Sequence, residues 1–302
     1  MKYLLTILLL MISCGKKEDN KEPVLEQEHV NALSVKYNFY VNEIYKVQGD
    51  YGFIEDTHCD SVMFSGLTGI AVSNITLIAA RNENGQWFRR PSMDCYPENS
   101  QSTISRDMFI GIMWYLWKNK DLNSLERIWE YGENTNWKMG EGAISRVFFT
   151  PNMISTLAIL IDKLGGYNHS LSINTPLAMG KQEGFQAHLD VLLLLLRAEA
   201  LGYIEKPNVV DYQYQRNPQN SLFAYAYNKY ISGNHYTTVL TLLNEQYFPS
   251  NRLPTRGDRK APWLWERDVG ADWAPSDENP TKSHSGGDFL FVTKLLFDDL
   301  NK

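Results

Sequence analysis

"STISRDMFIGIMWYLW", residues 102–117, is the stretch on which the reading of this chain turns. A polar start ending in Arg106 and Asp107 runs straight into a segment, Met108 to Trp117, that is apolar on every side. A surface helix keeps a polar face; a helix without one is buried all round. Asp107 then has two readings. An aspartate in a first helical turn is favoured by capping and by the helix dipole, together worth about 0.3–1 kcal/mol. A carboxylate at the mouth of a buried helix is also a candidate catalytic acid or base, since burial and neighbouring charge tune its proton affinity.

Working outward, the same apolar texture returns at residues 191–196 ("VLLLLL") and 289–297. Other segments keep a polar face. Residues 121–131 carry Leu122, Leu125, Ile128 and Trp129 on one stripe, and 236–246 is similar. Residues 60–80 read as one helix or two helical pieces, with "NENG" turning the chain after them. Thr150 and Pro151 open a further helix that Gly165 and Gly166 stop. Residues 182–203, 219–231 and 286–299 supply three more, and "AISRVFF" at 143–149 is the best strand candidate. The chain is expected to be mostly α. Buried and amphipathic helices joined by short turns predict antiparallel hairpins in two layers. An (α/α) toroid of helical hairpins satisfies this, with an irregular all-α domain as the alternative. No fixed-period repeat suggests a solenoid.

The N-terminus reads as an export signal. One lysine precedes an apolar run from Leu4 to Ile12, too short for the ~20 residues that span a bilayer. Met11-Ile12-Ser13-Cys14 resembles a bacterial lipobox, in which residues 1–13 are removed and Cys14 is lipidated. An ordinary signal peptide with a chance cysteine is the plainer reading. Residues 14–35 are charged, broken by Pro23 and poor in apolar side chains, so they are expected to be a disordered tether. The globular domain is then residues 36–302. Several lipid chains hold a protein stably where one holds it marginally. Gly15, rather than aspartate, after the cysteine favours the outer membrane in bacteria that have one.

Composition narrows the rest. The chain has 302 residues, 43% of them hydrophobic, and a net charge of -6. That acidic balance argues against nucleic acid as a partner, because nucleic-acid binding needs clustered lysine and arginine. Of three cysteines, Cys14 belongs to the lipobox, which leaves Cys59 and Cys95 as an even pair expected to form one disulfide in an exported protein. Two separate buried thiols are the alternative. No ligand-spaced histidine or cysteine cluster predicts a metal, and no cofactor motif occurs; GxSxG, HExxH, GxGxxG and the P-loop are all missing.

"HCDSVMFSGLTGIA", "GQWFRRP", the opening stretch and "HSGGDFLFVTKLL" together resemble the turn-and-helix texture of six-hairpin (α/α) toroid glycosidases. The resemblance implies a carbohydrate-active enzyme with acids and aromatics where inner helices meet the loops of one rim. Glycoside hydrolysis generally uses two carboxylates, one protonated and one ionised. Asp60 and Asp107 are the candidate pair, each opening an apolar helix. Trp87, Arg89 and Arg106 are candidate substrate contacts, the arginines through paired N–H donors to an anionic sugar or, more ordinarily, to acids of the protein. Near the C-terminus Trp263, Trp265, Asp268 and His284 lie in a stretch without helical periodicity. Indole faces stack on sugar rings, or else plug the fold; His284 is a proton shuttle, a ligand to substrate, or a polar loop residue. Asp288 lies at capping-box distance from Ser285 and reads as a cap. The functional expectation is a lipid-anchored glycoside hydrolase of the cell envelope, acting as a monomer on carbohydrate or cell-wall glycan. The alternative is a lipoprotein that binds glycan or peptidoglycan without cleaving it. Replacing Cys14 with serine is expected to release the protein from membranes or block its processing, which fractionation and intact mass will read. An unchanged fraction and mass would refute lipidation at that residue.

Overall fold

Helical periodicity carries through most of this computed structural model, which describes residues 27–47, 61–70, 72–93, 103–142, 146–169, 177–180, 184–233, 236–243, 248–252 and 287–301. The helices in chain order are α1 (Gln27–Val47), α2 (Ser61–Thr68), α3 (Asn74–Ile78), α4 (Arg106–Lys118), α5 (Leu122–Asn134), α6 (Pro151–Lys163), α7 (Gly184–Leu201), α8 (Pro207–Arg216), α9 (Ser221–Tyr230), α10 (Thr237–Leu242) and α11 (Gly287–Leu300). A two-stranded antiparallel ribbon, β1 (Lys138–Gly140) and β2 (Val147–Phe148), separates α5 from α6. It pairs Lys138 with Phe148 and Gly140 with Val147, within the expected strand, whose residues 143–145 lie outside the described residues. No helix among the described residues is long and apolar enough to cross a membrane.

Local chemistry explains the boundaries. Thr150 caps α6 by accepting from the Met153 N–H, and Pro151 at the first position loses no hydrogen bond there. Asp121 caps α5 through Ser124, and Asn220 caps α9 through the N–H groups of Leu222 and Phe223. Helix α1 corrects the tether boundary. Residues 27–35 are helical, and Leu33, Lys36 and Tyr40 form its buried stripe. The amine of Lys36 donates to the carbonyls of Leu243 and Phe248, each at 2.7 Å, so a charged residue near the expected tether is a buried tie.

The described helices are of two kinds. Every residue of α4 from Asp107 to Trp117 is buried, as expected from its sequence, and α6, α7, α9 and α11 are nearly so. Helices α5, α8 and α10 bury one stripe. Helix α2 packs between α4 and α11, α7 packs on α4, α6 and α9, and α9 packs on α11. At the α2–α4 crossing the backbones touch. A Cβ on Gly66 would stand 2.3 Å from the Gly111 carbonyl oxygen, and one on Gly111 would stand 2.4 Å from that of Met63.

Side-chain links give the helices a common direction. His188, early in α7, bonds Asn220 at the start of α9 at 2.7 Å. Glu199, late in α7, accepts from Lys118 at the end of α4 (2.8 Å) and from Lys229 at the end of α9 (3.1 Å). Lys229 also donates to Asp299 at the end of α11 (3.0 Å). The phenols of Tyr225 and Tyr236 donate to the same carboxylate at 2.7 and 2.9 Å. Starts lie beside starts and ends beside ends, so α4, α7 and α9 run parallel. Phe149, just before α6, packs edge-on against Phe109 in the first turns of α4, 4.7 Å between centroids.

Gly111→Ala tests the crossing. Alanine improves helix propensity by about 1 kcal/mol, but overpacking against rigid backbone costs ~1–3 kcal/mol. A net loss of stability is expected in urea unfolding, and a stabilised variant would mean that the two helices separate at little cost.

Candidate active site

The shared direction brings several helix N-termini to one end, each carrying roughly half a positive charge. Loops stitch that end together. Val62 at the start of α2 donates to the Arg89 carbonyl (3.2 Å), and the Arg89 N–H donates to Thr103 (3.1 Å). Thr103 in turn exchanges hydrogen bonds with Glu141, its N–H to the Glu141 carbonyl at 2.7 Å and the Glu141 N–H to its hydroxyl at 3.0 Å. Arg89 and Thr103 are buried; the Glu141 side chain is exposed and paired with Lys138, which holds its carboxyl below the usual range.

Asp107 lies in this end, 5% exposed. The N-cap of α4 is Ser105, and its hydroxyl makes no capping bond to the helix; it donates to Asp107 Oδ1 instead. Burial pushes the Asp107 carboxyl up, opposed by Ser105, by the charge of Arg89 and by its first-turn N–H groups. Asp190, on the second turn of α7, is the matching residue on the neighbouring helix. It is 6% exposed and accepts from Gln186 at 2.8 Å; burial raises its carboxyl against the pull of Gln186 and of Arg106.

The contrast with the far end of the same helices is chemical. There Glu199 and Asp299 meet lysines at 2.8–3.1 Å. Neither Asp107 nor Asp190 has a salt-bridge contact among the described residues, although each is buried and each feels an arginine. A buried carboxylate without a direct counter-ion is costly to the fold. It is therefore a candidate for chemistry rather than for support.

Other expected site residues fall differently. Trp87 is fully buried, with Arg81 5.5 Å from its ring, so its face is not available to a sugar; this corrects the expectation that it contacts substrate. Arg81 and Trp87 pair in an isolated antiparallel β-bridge. The charge of Arg89 reaches Asp107, and that of Arg106 reaches Asp190. Asp60, Cys14, Cys59, Cys95, Trp263, Trp265, Asp268 and His284 lie outside the described residues. Asp190 and His188 were missed in the sequence reading, although "QAHLDVLLLLL" repeats the pattern of the opening stretch: polar residues, an acid, then an apolar run. Comparisons with protein-family models, with curated proteins and with solved structures returned no match.

The direction of the Asp107 shift fixes a pH dependence. The folded chain holds this proton more tightly than the unfolded one. Its contribution to stability is full below the unfolded carboxyl pKa, near 4, and is lost as pH rises through the higher folded value. Asp107→Asn is therefore expected to leave stability unchanged or improved at pH 7. Relative to wild type, that advantage disappears near pH 4, where the native carboxyl is protonated. Paired urea titrations at the two pH values measure the difference. A loss above ~2 kcal/mol at pH 7 would mark the residue as a cap instead.

Proposed function

We propose that this protein is a lipid-anchored glycoside hydrolase of the bacterial cell envelope, tethered through Cys14, with its helical hairpins closed into an (α/α) toroid. The presence of both buried and half-buried helices supports the toroid, as does the packing of the last helix, α11, against α2. Gly287, the first residue of α11, lies so close to Phe64 that a Cβ there would stand 2.2 Å from that ring. The single observation that carries the catalytic reading is Asp107, a buried, under-paired carboxylate at the end where helix N-termini gather. With its carboxyl pushed up by burial, it suits the general acid that donates a proton to the glycosidic oxygen as the bond to the anomeric carbon breaks. The stretch bearing Trp263, Trp265, Asp268 and His284 leads directly into Gly287. Its indoles and acids suit sugar faces and hydroxyls.

The test is reducing-end release by the full-length protein in detergent, against purified peptidoglycan sacculi, starch, xylan, pectin and alginate. Release from at least one is expected, with Asp107→Asn lowering turnover by ~10²–10⁴. Glycan-array binding without release would move the assignment to a glycan-binding lipoprotein. Neither binding nor release would end the carbohydrate reading.

A further inference from the structure

We infer that Asp190, on the helix packed beside α4, is the second carboxylate of this site, working with Asp107; the inference rests on the hydrolase reading above. Four observations lead to it. First, α4 and α7 pack together and run parallel, fixed at their far ends by the Lys118–Glu199 contact at 2.8 Å. Their N-terminal turns are therefore neighbours, and Asp107 and Asp190 occupy those turns. Second, Arg106 adjoins Asp107 in the chain, while its charge acts on Asp190 in the next helix. Asp107 feels a different guanidinium, that of Arg89, so each acid has its own nearby cation, which lowers the cost of keeping both at this end of the helices.

Third, Asp190 is under-used by the fold. Its Oδ1 accepts from Gln186 one turn earlier, and its Oδ2 has no hydrogen bond among the described residues. A structural bridge between α4 and α7 would look like Lys118–Glu199, in direct contact; Arg106 and Asp190 make no such contact. Fourth, the turn that carries Asp190 is held rigidly. His188, fully buried, bonds Asn220 at 2.7 Å and lies against Phe223, 4.7 Å between ring centroids. Rigid support on regular helices is what a catalytic side chain needs.

The step balances with these two groups and water. Asp107 gives its proton to the glycosidic oxygen, which leaves with the bonding electron pair. The Asp190 carboxylate supplies electrons on the other side of the sugar. It takes a proton from the water whose oxygen bonds to the anomeric carbon, or it bonds to that carbon itself and is later released by water. In the first case the proton that Asp190 takes from water passes through solvent to Asp107; in the second the Asp107 carboxylate takes a proton from the releasing water, so both routes end with Asp107 protonated and Asp190 ionised.

The experiment uses full-length protein in detergent on whichever of the five named polysaccharides wild type cleaves. Asp190→Asn is expected to lower kcat by ~10²–10⁴ with KM little changed and with the thermal midpoint held or raised, because a buried charge has gone. In Asp190→Ala, added sodium azide is expected to restore sugar release as a glycosyl azide, detectable by mass; a purely structural role would not produce that species. Glu130→Gln, at an exposed position of α5, serves as the comparison, and retained turnover is expected there. If Asp107→Asn is inactive while Asp190→Asn keeps wild-type turnover, the inference is overturned and the hydrolase reading stands. A collapse of the Asp190→Asn melting transition would overturn it too, by making the residue a helix tie. If wild type cleaves none of the polysaccharides, both fall.

Discussion

Backbone contact between α2 and α4 is the constraint from which the rest follows. With no side chain on Gly66 or Gly111, each helix meets the other's carbonyl oxygens directly. The eight residues of α2 have little side-chain surface with which to hold a place in the core, so close approach has to compensate. Once α2 is fixed, the loop that follows must return its end to the start of α4. Arg89 then lies where its carbonyl accepts from Val62 and its charge reaches Asp107. On the other side of α2, Gly287 repeats the device against Phe64 and brings in the last helix. A larger residue at any of these three positions would displace the site as well as the packing.

The two ends of the parallel helices have been given different work. At the C-terminal end Lys118, Glu199, Lys229, Asp299, Tyr225 and Tyr236 form a connected set of ion pairs and hydrogen bonds. Lysines there also oppose the negative ends of the helix dipoles. Burial and the nearby Asp299 carboxylate push both phenols up, so they remain donors at any physiological pH. At the N-terminal end the acids are buried but incompletely paired. Stability is concentrated where the charges are matched, and the mismatch is confined to the end where loops meet helices. Natural proteins break the rules of local consistency mainly at functional places.

Two departures from the sequence reading share one cause. Residues 27–35 look too polar to fold by themselves, and Trp87 looks like an exposed aromatic among arginines. Both judgements treat the neighbourhood in sequence as the neighbourhood in space. Helix α1 gains its order from a stripe packed on α11, where Tyr40 meets Phe289 at 4.5 Å and Tyr37 meets Phe297 at 5.7 Å. Trp87 pairs with Arg81 in a β-bridge, which no local pattern announces.

What the sequence determined by itself was class and depth. Runs such as Met108–Trp117 and "VLLLLL" lack a polar face, so burial of those helices follows from the hydrophobic effect whatever surrounds them. Caps at Thr150 and Asp121 are equally local, being hydrogen bonds that a chain makes to its own next turn. Asp107 was legible as a residue to examine for the same reason, since an acid beside an apolar run is conspicuous in one dimension. Its partnership was not. Which acid stands on the helix beside it depends on the direction and neighbours of α7, and those are set by contacts thirty or more residues apart, such as Lys118 with Glu199, 81 positions along the chain. Long-range pairing carries no signal in the spacing of residues. It exists only when packing has chosen which helices stand side by side, and that choice made Asp190, a single letter before a leucine run, the buried acid on the helix beside Asp107.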